Sequence, residues 1–282
     1  MGRWILSGFT DEYADNFDEQ LWAARKYSFD AIELRHADGK SVSEMTESEV
    51  KLIKQKLDDQ GIGVSAIGSP LGKIKLDEDM NAHMDQAKRL FSMANCLGTK
   101  NIRIFSFYAG SVTDPLERKE KTLEALGHLC TCAREYGVTL CHENEANIYG
   151  DVPSRIREIL DYFGGEIKCV FDMGNFVLEQ VDPYLDGYGQ LKDYIQYFHI
   201  KDALKAGAVV PPGTGEARIC EILSMHKQAS TEDTIITLEP HLQTFSGLNA
   251  LVGRDFVNPY QYKDAKTAFE DAVVRLKELI FR

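Results

Sequence analysis

Apolar residues along this chain follow two spacings that take turns. Short β-rich runs alternate with stretches whose apolar residues recur every three or four positions, and the alternation occurs eight times. The β-rich runs are Ile5–Phe9, Ala31–Leu34, Val64–Ile67, Asn101–Phe105, Val138–His142, Ile167–Phe171, Tyr197–Ile200 and Thr234–Leu238. Between them, Phe17, Leu21 and Ala24 share one helical face, as do Val50, Ile53 and Leu57 behind a capping box at Thr46-Glu47-Ser48-Glu49. Gly61, Gly98 and Gly137 mark helix ends, Pro115 marks a helix start, and Ala265, Ala268, Phe269, Ala272, Leu276 and Leu279 make a closing helix. Strand–helix alternation of this kind yields parallel strands with right-handed crossovers. Eight units in 282 residues predict an α/β fold, a (β/α)8 TIM barrel, with residues 1–282 as a single domain and no Pro/Gly/Ser-rich linker dividing them. An open doubly wound sheet is the alternative, but its dinucleotide signature is missing: Gly213-Thr214-Gly215 would need glycine where Arg218 stands.

Composition narrows the classes of function. The 44 acidic and 32 basic residues give a net charge of −12, which opposes nucleic acid as a partner. No apolar stretch approaches the length of a membrane span, and the N-terminus lacks a signal-peptide core. The cysteines Cys96, Cys130, Cys132, Cys141, Cys169 and Cys220 contain no C-x-x-C pair and read as reduced thiols of a cytoplasmic protein.

In such a barrel the active site is built where strands end at their C-terminal side. Four consecutive strands, five to eight, place a polar residue there: Glu143, Asp172, His199 and Glu239. A single strand-end carboxylate is commonly a helix cap or half of an ion pair. Four on consecutive strands point instead to one mouth. Three carboxylates crowded together raise one another's pKa unless a cation intervenes. With one imidazole they form a mixed oxygen and nitrogen set for one divalent metal ion, Mn²⁺ first, with Mg²⁺, Co²⁺ or Zn²⁺ also suited.

These positions resemble the xylose-isomerase-like TIM barrel superfamily of sugar and sugar-phosphate isomerases and epimerases, which includes ketose 3-epimerases, hydroxypyruvate isomerases and inosose dehydratases. The resemblance covers nearly the whole chain. It rests on Glu143-Asn144, on Asp172 with Asn175, on His199, Lys201 and Asp202, on Pro212-Gly213-Thr214-Gly215, and on Leu238-Glu239-Pro240-His241. It implies that Glu143, Asp172, His199 and Glu239 bind the metal and that Glu143 and Glu239 also move protons. Glu145 competes for the strand-five position by parity, but Asn144 directly after Glu143 fits the family pattern. Two departures stand out. Asn175 replaces a histidine common in ketose epimerases, and Val209 replaces an arginine, leaving Lys201 and Lys205 as the nearest basic residues. The segments His142–Glu145, Ile148–Asp151, Ser69–Lys73 and Arg103–Phe107 are instead similar to a subgroup acting on 3-keto glycosides.

The expected chemistry is proton transfer at the carbon next to a carbonyl, through an enediolate that a metal ion stabilises, on a ketose or keto-glycoside. A dehydratase or lyase would use the same site after the same first step, and a non-catalytic sugar-binding barrel is a third reading. Cleavage of phosphodiesters would need a histidine-rich cluster and a basic surface that the sequence lacks. Further substrate contacts are expected from Glu33, Arg103, Glu145, Asn175, Lys201 and His241. The alternatives are a mutual or helix-facing salt bridge for Glu33 and Arg35, an outward Arg103 against a helix, and a His241 that hydrogen-bonds a metal-bound glutamate. The stretch from Pro240 to Tyr262, with Phe245, Leu248, Leu251, Phe256, Tyr260 and Tyr262, is long enough to cover the mouth or meet a second subunit of a homo-oligomer.

Overall fold

Eight short strands are buried along nearly their whole length, as parallel strands covered on both faces must be. In this computed structural model, which describes residues 2–243 and 259–281, they are β1 (Trp4–Gly8), β2 (Ala31–Leu34), β3 (Gly63–Ile67), β4 (Asn101–Ile104), β5 (Thr139–Glu143), β6 (Lys168–Asp172), β7 (Ile195–Ile200) and β8 (Thr234–Leu238). They pair side by side in parallel in the order β1-β8-β7-β6-β5-β4-β3-β2. Between β1 and β2, Asp30 does the work of a ladder partner: its amide donates to Leu6 O at 2.8 Å, and its carboxylate accepts from Leu6 N at 2.8 Å. The result is a nearly closed (β/α)8 barrel.

Helices α1 (Phe17–Lys26), α2 (Glu47–Gln60), α3 (Met80–Leu97), α4 (Pro115–Tyr136), α5 (Pro153–Tyr162), α6 (Met173–Leu178), α7 (Ile219–Ala229) and α8 (Ala265–Ile280) surround it. Their ends obey local rules. Thr46 and Glu49 form a reciprocal capping box, and Asp114 caps α4 ahead of Pro115. Gly61, Gly98 and Gly137 end α2, α3 and α4 with positive φ of 65°, 80° and 65°. Most of the core lies between strands and helices. Inside the barrel a separate cluster of Ala66, Cys141, Val170 and Tyr197 fills the lumen.

The observed strands differ from the sequence reading by one or two residues at several ends, and this matters at two of them. Glu143 and Asp172 are the last residues of β5 and β6 rather than the first beyond them. Two short hairpins were not anticipated, His36–Ala37 with Lys40–Ser41 and Asp202–Leu204 with Ala208–Val210. The first turns on Asp38-Gly39, both at positive φ, a dipeptide whose turn preference the sequence displayed openly. Among the described residues, no helix is long and apolar enough to cross a membrane.

The second hairpin explains why Asp202 and the Pro212–Gly215 loop occur together. The Asp202 carboxylate accepts backbone N–H groups from Ala203, Gly213, Gly215 and Ala217 at 2.8–3.0 Å. A Cβ at position 215 would lie 2.2 Å from Asp202 Oδ1, so only glycine admits the approach. The carboxylate therefore pins the loop beyond β7 from beneath. Replacing it by Asp202→Ala strands several of these donors, and urea unfolding should show a loss of about 3 kcal/mol; an unchanged midpoint would contradict this role.

Candidate metal centre

The C-terminal ends of β5, β6, β7 and β8 bring Glu143, Asp172, His199 and Glu239 together. Each offers a donor atom, and the four atoms lie within 4.8 Å of one another, all on buried side chains. His199 Nδ1 faces this group, 3.0 Å from Glu143 Oε1 and 3.2 Å from Glu239 Oε2. Asp172 plays two parts at once. Its Oδ1 accepts from Asn175 N at 2.8 Å and caps α6, while Oδ2 turns toward Lys201. The amide of Asn144 locks the end of β6 from the side, donating to Asp172 O at 2.9 Å and accepting from Asp172 N at 3.0 Å.

Three permanent cations are threaded among the acids. Lys201 Nζ lies 2.8 Å from Asp172 Oδ2, 3.0 Å from Glu239 Oε2 and 3.2 Å from Asn175 Oδ1. Its stem crosses directly over Gly174, where a Cβ would come within 2.6 Å of Lys201 Cγ. Arg103 points inward from β4, its Nη1 3.3 Å from Glu143 Oε2 and 3.6 Å from Glu239 Oε1. Arg35 reaches Asp11, Glu12 and Glu239 at 2.9, 3.4 and 3.0 Å. Glu239 is thus the hub to which all three cations connect.

The electrostatics follow from burial set against these contacts. Burial pushes the Glu143 carboxyl up, but His199 and Arg103 outweigh it and hold the group down at about 2. Glu239 is likewise held well below the usual carboxylate range, burial being overcome by Lys201 and the neighbouring imidazoles. For Asp172 burial wins over Lys201 and raises the carboxyl to about 7. Glu12 rises to about 8 because burial and the nearby Glu239 outweigh Arg35. His199 moves far above its ordinary value: burial opposes its charge, and Glu143, Glu33 and Glu239 more than compensate.

Six buried carboxylates (Asp11, Glu12, Glu33, Glu143, Asp172 and Glu239) thus share one network with three buried permanent cations. The donor set fits a divalent ion in number, chemistry and charge. Glu143 Oε2, buried and facing Arg103 Nη1 at 3.3 Å without forming a hydrogen bond, retains acceptor capacity at the same place. A second group, Glu12, Glu239 and His241, also clusters within 4.8 Å. There the Arg35 guanidinium already stands between Glu12 and Glu239.

The other expected contacts distribute unevenly. Asn175 is in the site, donating to Asn144 O at 2.9 Å and to Glu143 Oε1 at 3.4 Å. His241 lies against Glu239, with Nε2 3.4 Å from Glu239 Oε1 and its backbone N–H donated to Glu12 Oε2 at 2.7 Å. Glu145 is outside the cluster, at the rim, paired with Lys73 at 3.1 Å. Glu33 sits behind the imidazole: its side chain has no exposure, one oxygen accepts from Tyr197 Oη at 3.1 Å and the other faces His199 Nε2 at 3.1 Å. Lys205 sits on an exposed hairpin turn and Val209 is buried within the hairpin, so of the two lysines Lys201 is the one that brings an amine to the centre. Asp11, Glu12 and Tyr197 were not singled out. Tyr197 was findable, since it shares strand parity with His199; Asp11 and Glu12 follow β1 in a turn whose direction no periodicity gives. Phe245, Leu248, Leu251 and Phe256 of the suspected cover lie outside the described residues, while Tyr262 donates to Asp271 at 2.7 Å.

A family model described as xylose isomerase-like TIM barrel matches residues 21–258, and the chain belongs to that family. No curated protein matches it. Among solved structures, the probable 3-DHS dehydratase AsbF of Bacillus anthracis is similar at 18% identity and TM-score 0.72, over 99% of this chain and 98% of its own. The 3-keto-D-glucoside 4-epimerase YcjR of E. coli is similar at 14% identity and TM-score 0.71, over 100% of both chains. A xylose isomerase-like TIM barrel protein of Mycobacterium smegmatis in complex with magnesium is similar at 15% identity and TM-score 0.71, over 99% of this chain and 97% of its own. At these identities the likeness is one of fold.

Because Arg103 separates Glu143 from Glu239, Arg103→Met leaves two buried acids facing each other. The metal-free protein should lose about 3–5 kcal/mol in a denaturant titration, and millimolar Mn²⁺ should restore part of it. Equal stability of variant and parent without metal would count against this pairing.

Proposed function

We propose that this chain is a divalent-metal-dependent carbohydrate isomerase or epimerase that moves a proton at the carbon beside a carbonyl of a ketose or keto-glycoside. The observation that carries the reading is the convergence of Glu143, Asp172, His199 and Glu239 within 4.8 Å, inside a network where buried acids outnumber permanent cations. When bound, an ion (Mn²⁺ first, with Mg²⁺, Co²⁺ or Zn²⁺ as alternatives) supplies Lewis-acid stabilisation of developing negative charge on the substrate oxygens. The remaining work belongs to the chain. Glu143 and Glu239 enter from β5 and β8, three strands apart around the ring, so they reach a substrate from different sides. One removes the proton and the other returns one, which on the opposite face inverts the carbon. Arg103 Nη1, between the two, keeps both in the ionised form a base requires. Asn175 cannot carry a proton; its engaged amide and carbonyl orient Glu143 and Lys201.

A second reading is favoured by one observation. Lys201 Nζ, buried beside Asp172 and Glu239, is an ammonium group at the centre that can donate a hydrogen bond to a departing hydroxyl. With it the same enolisation ends in loss of water, and the chain is a dehydratase. The structural likeness to a probable dehydratase as well as to an epimerase fits both outcomes.

Proton NMR in D₂O decides between them. Metal-loaded protein is incubated with ketoses, inososes and 3-keto glycosides. Exchange of one C–H with inversion supports epimerisation, and release of water or aglycone supports elimination. Chelation should abolish exchange, and Glu143→Gln or Glu239→Gln should slow it by about 10²-fold or more. Undiminished exchange in both variants overturns the assigned roles, and sugar binding without any exchange makes the barrel a non-catalytic receptor.

A further inference from the structure

Resting on that reading of the site, we propose that Glu33 and Tyr197 select which nitrogen of His199 meets the ion: Glu33 takes the proton of Nε2, so that Nδ1 presents its lone pair. A neutral imidazole has one N–H and one lone pair, and only the lone pair can ligate. The ring could offer either edge. Its Nδ1 edge faces Glu143 and Glu239 at 3.0 and 3.2 Å, and its Nε2 edge faces Glu33 Oε2 at 3.1 Å. An ionised carboxylate only accepts hydrogen bonds, so carboxylates on both edges hold a proton on each nitrogen of the metal-free ring; an ion at the four-donor site displaces the Nδ1 proton, while Glu33 keeps the one on Nε2.

Glu33 is itself held in place. Its other oxygen accepts from Tyr197 Oη at 3.1 Å, and the Tyr197 ring is packed in the lumen against Ala66, Cys141 and Val170. Phe9 stands edge-on to the imidazole, 5.3 Å between ring centres at 79°, and limits its rotation. The chain Tyr197–Glu33–His199–Glu143 thus crosses the barrel from β7 to β2 and back, entirely through side chains of 2% exposure or less. Glu33 and Tyr197 hydrogen-bond to one another, and Glu33 meets the imidazole on the edge away from Glu143. Its geometry is that of a carboxylate orienting a metal-bound histidine, which makes Glu33 and Tyr197 positioning residues.

The test uses the full chain, stripped of metal and titrated with Zn²⁺ and Mn²⁺ by calorimetry. Glu33→Leu should weaken binding by about 10–100-fold. Glu33→Gln, whose carbonyl oxygen still accepts from Nε2, should lose less, and Tyr197→Phe should also lose less than Glu33→Leu. Melting curves identify any variant that fails to fold, and in that case Glu33→Gln and Tyr197→Phe carry the comparison. ¹⁵N NMR of histidine-labelled, Zn²⁺-loaded parent should show His199 protonated at Nε2 and metal-bound at Nδ1, a signature that a merely structural Glu33 would not determine. Parent-like affinity in all folded variants, or a proton on Nδ1 of the loaded parent, overturns the inference while leaving the metal site intact. A parent that binds neither ion overturns the metal reading and this inference together.

Discussion

An excess of buried negative charge at one end of the barrel is the constraint around which this structure is arranged. Taking a carboxylate out of water costs several kcal/mol unless opposite charge and hydrogen bonds replace the solvent. Here Arg35, Arg103 and Lys201 do so for part of the set, and all three converge on Glu239. What they leave over shows in the acids themselves: Asp172 and Glu12 are pushed upward while Glu143 and Glu239 are held down. An arrangement so costly makes sense where a further positive charge belongs. The four donors of Glu143, Asp172, His199 and Glu239 mark its place.

The scaffold supplies the precision. Each member of the set stands on, or directly after, the end of a strand whose neighbours fix its height in the ring, as where Asp172 lies level with His199 and Thr237 level with His199. Beneath them the lumen is closed by Tyr197 and its apolar neighbours. Around them, loops are tied to the site by polar pins rather than by packing alone: Asp202 gathers the Pro212–Gly215 turn, Asn144 locks β6, and Glu12 takes the amide of His241, a residue at the positive φ of 46°. Rigid elements carrying short polar supports are what a site for proton transfer needs.

Much of this could be read from the chain. The barrel follows from eight alternations of spacing, and the four clustered residues from their shared position at strand ends. Strand parity with His199 also gives the inward direction of Lys201, whereas the direction of Arg103 stays open in the sequence and is given by its contacts with Glu143 and Glu239. Contacts between strands distant in sequence were less legible. Glu33 looked like a substrate contact because its strand position is right; only the structure brings Tyr197 and His199, more than 160 residues away, onto its two oxygens. Arg35 and Glu33, two apart at the end of β2, invited the expectation of a pair, yet Arg35 meets Asp11 in the turn after β1 and Glu33 meets His199 of β7. Asp202 was grouped with the chemistry by its motif, and in three dimensions it turns out to hold a loop. In each case the residue type and its face were legible, and the identity of the partner was not.

The centre also accounts for the difference between the chain's overall charge and its local chemistry. A net charge of −12 describes the whole surface and interior together; at the mouth, six buried acids face three permanent cations, a local excess that a divalent ion offsets. The most direct test of this account is anomalous diffraction from crystals soaked in Mn²⁺. The account predicts one strong peak per chain, enclosed by Glu143, Asp172, His199 Nδ1 and Glu239, with Lys201 beside it. A mouth without any peak, or an ion bound elsewhere while the four side chains contact only Lys201 and Arg103, would contradict it.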